Sequence, residues 1–238
     1  MYKAVLSYKG TRYFGWQKTN MGPSIQDTVE QALLRVTQEP TAVAAASRTD
    51  RGVHAMGQIV QFALREPWEP AKLLAALNGV LPCDIRMLHI ERKEFHPTLD
   101  AVQKEYFYKV STEEVQDPHD RLFSWHVYYP IDDYKIKKGC QELSGTHDFS
   151  AFCNYKKEGR GNPVCHLESI LFDGTAFHIR GDRFLYKMVR NLVGTLIYIG
   201  AGKLGSAKEI LSSKDRKRAG ITAPAHGLYL HQVFYPVT

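Results

Sequence analysis

Apolar residues recur along this chain with two different periods, and the places where one gives way to the other mark its elements. Ile25, Val29, Ala32, Leu33 and Val36 fall on one face of a 3.6-residue repeat, and Ser24 followed by Asp27 looks like a capping box. A helix is therefore predicted from Ile25 to Thr37. A second helical pattern on Leu73, Leu74 and Leu77 runs into Asn78-Gly79-Val80-Leu81-Pro82, where Gly and Pro are stop signals. Period-two alternation marks a strand in Gln58-Ile59-Val60-Gln61-Phe62-Ala63-Leu64, and Tyr2 to Tyr8 and residues 85–90 also read as strands. Past His96-Pro97 the order begins again. An aromatic strand over 105–110 precedes a helix over 134–143 and paired strands over 167–172 and 176–180, joined by Asp173-Gly174-Thr175. A last helix is expected to start near Phe184, with Met188, Val189, Leu192, Val193, Leu196 and Ile197 as its apolar stripe. The repeated order predicts two α+β halves, residues 1–103 and 104–238, packed closely enough to leave a cleft between them.

Composition narrows this picture. With 238 residues, 44% apolar and 24% charged, the chain is ordinary globular material able to bury one large core or two smaller ones. Lys plus Arg number 31 against 25 Asp plus Glu, and the resulting charge of +6 favours an anionic partner. Cys83, Cys140, Cys153 and Cys165 are widely spaced, so neither a zinc site nor a disulfide framework is expected. Tyr2-Lys3-Ala4-Val5-Leu6 lacks the apolar core of a signal peptide, and the apolar run 192–202 is interrupted by Thr195 and three glycines. A cytoplasmic, reducing-compartment protein that does not enter a membrane is the expectation.

One stretch carries chemistry. Ala46-Ser47-Arg48-Thr49-Asp50-Arg51-Gly52-Val53-His54-Ala55 sets a carboxylate between two arginines, whose charges favour its ionised form, beside a glycine that permits close approach. On spacing alone, a reactive site and a solvated turn both remain open. Aromatics interleaved with cations over 8–16 and 152–160 suit phosphate neutralisation with base stacking, or else the edge of an aromatic core. The run Lys214-Asp215-Arg216-Lys217-Arg218 is read as a solvated helix end, with contact to an RNA backbone as the alternative.

Taken together and in order, the motifs resemble those of the TruA-type tRNA pseudouridine synthases. They begin with Gly10-Thr11-Arg12-Tyr13-Phe14-Gly15-Trp16-Gln17 and Arg48-Thr49-Asp50-x-Gly52-Val53-His54-Ala55. Leu77-Asn78-x-x-Leu81-Pro82-x-Asp84-Ile85, Lys104-x-Tyr106-x-Tyr108 and Gly145-x-His147-Asp148-Phe149-x-x-Phe152 follow. Met188-Val189-Arg190-Asn191-x-Val193-Gly194 and Gly227-Leu228-Tyr229-Leu230 complete the series.

The resemblance implies two related α/β-sandwich-like halves whose mainly antiparallel sheets join into one extended sheet, with the active-site cleft between them. It implies a homodimer acting on the anticodon stem-loop of tRNA, where uridines 38, 39 and 40 become pseudouridine without metal or organic cofactor. Asp50 matches the family's catalytic carboxylate, acting as nucleophile or as proton-abstracting group at the sugar. Arg190 matches the arginine that pairs with it. Tyr106 matches the tyrosine that stacks on the target uracil and serves its C5 proton, and Leu228 the residue that closes the pocket on the base. Arg48 matches the arginine that displaces the nucleotide from its stem. Arg51 has no family role and is read as backbone-contacting or solvated, while His54 and His147 are given packing or hydrogen-bonding roles. Thr98, Lys9 and His166 depart from the family pattern, which puts particular RNA contacts in doubt. The same chemistry on another RNA, or an RNA-binding chaperone with little turnover, are the alternative functions.

Overall fold

The computed structural model describes residues 1–154 and 161–236. It is α+β, with ten strands and five α-helices among the described residues and mainly antiparallel pairing. The chain divides into two compact units. One comprises Met1–Val102 and the chain from Tyr229 onward, and the other Gln103–Leu228.

In the first unit, β1 (Tyr2–Tyr8) lies between β3 (His54–Phe62) and β4 (Ile85–Arg92), antiparallel to both. Its alternate residues Tyr2, Ala4, Leu6 and Tyr8 are buried, as a half-buried strand requires. The short β2 (Ala44–Ala45) pairs with β3 on one side. On the other, β10 (Leu228–Phe234) runs parallel to β3 through Tyr229 and Leu230, so the end of the chain completes the first unit. Helix α1 (Ile25–Thr37) buries Ile25, Val29, Ala32 and Leu33, and α2 (Pro70–Val80) buries Leu73 and Leu77. Ser24 caps α1 by accepting from the Asp27 amide, which is one arm of the expected box. Pro70 opens α2 where its missing N–H costs nothing, behind a Glu69 side chain that accepts from Ala71 and Lys72. Asn78 then clips α2 to β4, donating to the Met87 carbonyl at 2.7 Å and accepting from the Met87 amide at 2.9 Å.

In the second unit β5 (Gln103–Ser111), β9 (Ala176–Gly181), β8 (Val164–Phe172) and β7 (Gly145–Asp148) form an antiparallel run in that order. The two-residue β6 (Trp125–His126) adds to β5 in parallel. Helix α3 (Asp133–Leu143) packs against β8 and against α4 (Met188–Gly200). A short α5 (Ala207–Ser213) follows.

Three expectations change here. Helix α4 starts at Met188 rather than near Phe184, because residues 184–187 are engaged elsewhere: the Tyr186 carbonyl accepts from Asn154, and Lys187 takes a left-handed conformation at φ 60°. The apolar stripe is also too narrow a description, since α4 is buried almost all round, Asn191 and Thr195 included. Finally, α4 is not the last helix; α5 offers only Ala207, Ile210 and Leu211 as buried positions, too few for a periodic signal. No helix among the described residues is long and apolar enough to cross a membrane.

Candidate active site

The loop 46–53 joins β2 to β3, and polar residues of the core hold it at several points. Ala46 donates to the Ile59 carbonyl at 2.9 Å. Gln58, wholly buried, accepts from the Ser47 amide at 3.2 Å and donates to the Ser47 carbonyl at 2.7 Å and the Tyr8 hydroxyl at 3.3 Å. That hydroxyl lies 2.8 Å from Thr49 Oγ1, and the Thr49 carbonyl accepts from the Trp16 amide at 3.0 Å. Val53 donates to the Asp50 carbonyl at 3.1 Å, closing a turn in which Gly52 takes the left-handed conformation at φ 79°. Asp50 is thus a partly exposed carboxylate on a backbone fixed before and after it.

Gly15 shows how closely the neighbouring segment presses on this loop. A Cβ there would stand 2.8 Å from the Thr49 carbonyl oxygen and 3.1 Å from the Arg51 nitrogen, and its φ of 98° disfavours any side chain. The aromatic-cation stretch 8–16 is mainly a core edge, with Tyr8, Tyr13 and Trp16 buried. Its exception is Phe14, whose ring lies 4.1 Å under the Arg51 guanidinium. Arg51 is itself exposed, so this stacking adds to the solvated reading of that side chain. Arg48 is exposed on the same loop. His54 is buried, accepts from the Gly10 amide at Nδ1 (3.1 Å) and stacks on Tyr229 at 4.7 Å, a packing and hydrogen-bonding role as expected.

The second unit holds the other three residues. Tyr106, on β5, is buried with its ring edge-on to Phe184 at 4.9 Å. Two residues before it on the same face, Lys104 is pushed below the ordinary lysine range by burial. Arg190 leaves the first turn of α4 and is joined twice to one residue of the segment leading to β10. Its Nε donates to the Ala223 carbonyl at 2.7 Å, and the Ala223 amide donates to the Arg190 carbonyl at 3.1 Å. The Pro224 carbonyl next along accepts from the Tyr108 hydroxyl at 2.8 Å. Burial pushes that phenol well above its ordinary range, with the Arg190 charge opposing. Leu228 follows the turn Ala225–Gly227 and is buried. Asp50 and Arg48 therefore share one loop of the first unit, and Arg190 and Leu228 are tied into one segment of the second.

Residues 155–160 of the other aromatic-cation stretch lie outside the described residues, while Phe152 and Cys153 are buried. The run 214–218 is not a uniformly solvated helix end. Lys214, Lys217 and Arg218 are exposed, whereas Arg216 turns inward to Asn191, Asn154, Thr222 and Gly220. No group of three or more His, Cys, Asp or Glu residues among the described residues could hold a metal ion. Thr98 donates to the Ala45 carbonyl at 3.2 Å, the Lys9 amide to the Asp84 carbonyl at 2.9 Å, and His166 Nδ1 lies 2.9 Å from Thr146 Oγ1. The supports of the loop, Gln58 and Tyr8, were not foreseen as site residues. Gln58 did carry a signal, being a polar side chain in the same strand register as Val60 and Phe62.

A family model described as tRNA pseudouridine synthase matches residues 4–98 and 140–236. The chain belongs to the tRNA pseudouridine synthase family. It is 47% identical to tRNA pseudouridine synthase A 2 of Protochlamydia amoebophila over 98% of this chain and 93% of that one. It is 39% identical to tRNA pseudouridine synthase A of Myxococcus xanthus, covering 98% and 91% of the two chains, and 40% identical to that of Bacillus pumilus, covering 98% of each. Pseudouridine synthases are isomerases that convert uridine to pseudouridine. The first matched span contains Arg48 and Asp50, the second contains Arg190 and Leu228, and Tyr106 falls between them. Loop 46–53, with its backbone held before and after Asp50, lies within the first matched span.

Proposed function

We propose that this chain isomerises uridines 38, 39 and 40 in the anticodon stem-loop of tRNA, acting in the cytoplasm as a homodimer. The observation that carries the reading is the presence of Asp50 in a family-matched loop whose backbone is anchored through Gln58, Tyr8, Thr49 and Trp16. In the reaction the N1–C1′ bond of the nucleotide breaks, the uracil turns, C5 bonds to C1′ and the C5 proton leaves while N1 gains one. Atoms balance without water or an external reductant. Asp50 takes part as nucleophile or base at the sugar, and Arg190 supplies the positive charge that keeps it oriented. Tyr106 stacks on the uracil and serves its C5 proton. Leu228 covers the base, and Arg48 displaces the nucleotide from its stem, at a cost of a few kcal/mol offset by new contacts.

The test is incubation of the purified protein with an unmodified tRNA carrying uridines at 38 to 40, followed by site-resolved mapping of pseudouridine. Conversion at those sites is expected, and Asp50→Ala should abolish it while leaving tRNA affinity within about tenfold, because phosphate contacts dominate binding. Full turnover by Asp50→Ala would remove the catalytic assignment. Conversion confined to other uridines would replace the substrate, and sedimentation as a monomer at working concentration would remove the dimer.

A further inference from the structure

A buried polar cluster of the second unit lies directly beside Arg190 on α4. Its centre is Asn191, wholly buried on α4. The amide nitrogen donates to the Phe152 carbonyl at 2.8 Å and to Asn154 Oδ1 at 2.7 Å. The amide oxygen accepts from Arg216 Nη2 at 2.9 Å and from Thr222 Oγ1 at 2.7 Å. All four hydrogen-bonding positions of the side chain are used.

Arg216 reaches in from the short turn Arg216–Arg218. Besides Asn191 it donates to Asn154 Oδ1 at 3.2 Å, to the Gly220 carbonyl at 2.8 Å and to Thr222 Oγ1 at 3.1 Å. None of these partners is a carboxylate. The guanidinium is used for its planar fork of donors, which lysine does not possess. On the other side of the same segment, the Gly220 amide donates to Thr195 Oγ1 at 2.9 Å. Ile221 passes so close to α4 that a Cβ on Gly194 would lie 1.9 Å from its carbonyl oxygen. Residues 220–222 are thus pinned to α4 by Arg216, Asn191 and Thr195, and the next residue is Ala223, whose carbonyl receives Arg190 Nε at 2.7 Å.

We infer that Arg216 is a positioning residue for the isomerisation: by clamping Gly220 and Thr222 onto Asn191 it sets the Ala223 carbonyl that orients the Arg190 guanidinium. The inference rests on the reading of Arg190 as the cation that serves Asp50. Arg216→Lys keeps the charge and loses the fork. Thr222→Val removes one donor to Asn191 and keeps the volume, so it tests the same clamp with less risk to folding.

The experiment measures single-turnover pseudouridine formation, tRNA affinity and thermal midpoint for these variants alone and combined with Arg190→Lys, which cannot make the Nε bond to Ala223. Arg216→Lys should slow the chemical step about tenfold with tRNA affinity changed less than about threefold, and Thr222→Val should slow it in the same sense. In the Arg190→Lys background the further loss should shrink to less than about twofold, because the bond through which Arg216 acts is gone. A folded Arg216→Lys with unchanged single-turnover rate overturns the inference, and so does a loss that is fully additive with Arg190→Lys. Weakened binding with an intact rate overturns it too, and would make Arg216 an RNA contact instead. Arg190→Lys at the full wild-type rate would instead remove the reading of Arg190 beneath it, a result recognisable whatever Arg216→Lys does.

Discussion

At the scale of single residues, the candidate carboxylate depends on neighbours that never touch a substrate. Gly15 is the sharpest case, since its φ of 98° and the 2.8 Å from its would-be Cβ to the Thr49 carbonyl leave no room for a methyl group. Gly15→Ala should cost about 1–3 kcal/mol of stability through backbone strain and displacement of the loop. Urea unfolding measures that cost, and the single-turnover rate should fall with it; an unchanged midpoint and rate would mean that the loop yields freely. His226, between Ala223 and Leu228, gives a second residue-scale test. Burial holds its imidazole below the ordinary value, and the Arg190 charge pushes the same way against a bond to Ser124. As pH falls, the unfolded imidazole takes its proton first, near pH 6.5, while the folded one stays neutral to lower pH. The stability it lends is therefore present above about pH 6.5 and is lost below it. The urea midpoint should drop less between pH 7 and pH 5 in His226→Gln than in the parent, whereas parallel declines would exonerate His226. Asp50 and Arg48 stand out in the sequence as members of a motif, whereas Gln58 stands out only as a polar residue in the register of Val60 and Phe62. Hydrogen bonds from a buried amide to a backbone eleven residues earlier leave no periodic trace.

Among the elements, those with long, regular apolar faces were legible and those shaped by partners were not. Helix α1 runs from Ile25 to Thr37 as its periodicity predicts, because a stripe of four buried residues and a serine cap agree. Ser24 is itself buried, and Ser24→Ala should lower stability by about 1 kcal/mol through the lost bond to the Asp27 amide. A chemical denaturation curve checks this, and an unchanged midpoint would mean that the remaining contacts of the first turn hold α1 without the cap. The start of α4 shows the opposite situation. Residues Phe184-Leu185-Tyr186-Lys187 are compatible with helix by composition, but Phe184 packs on Tyr106 and the Tyr186 carbonyl is committed to Asn154. Tertiary contacts therefore override local preference, and the periodicity of the sequence does not register them. Strand β10 was visible only as the motif Gly227-Leu228-Tyr229-Leu230, and its parallel pairing with β3 joins residues more than 170 positions apart, a separation that leaves no local signal.

Taken as a whole molecule, the protein carries a charge of +6, and part of it is offered to solvent: Arg48 on the Asp50 loop, and Lys217 and Arg218 beyond α5, are exposed. Arg216 is the instructive contrast, a cation in the same basic run that neutral acceptors draw into the fold, so composition overstates by that much the charge offered to a polyanion. If tRNA is held mainly through its phosphates, each contact contributes a slope of roughly −0.7 to −0.9 in log affinity against log salt. Three such contacts would weaken binding more than about tenfold between 50 and 200 mM salt, and more contacts would weaken it further. Isomerisation of already bound tRNA neither releases nor takes up counterions, so the single-turnover rate at saturating enzyme should change little over the same range. Steep salt dependence of affinity beside a flat rate would separate the electrostatics of capture from the isomerisation step itself. A rate that falls in parallel with affinity would instead place a phosphate contact in the reacting geometry, with exposed Arg48 as the first side chain to replace.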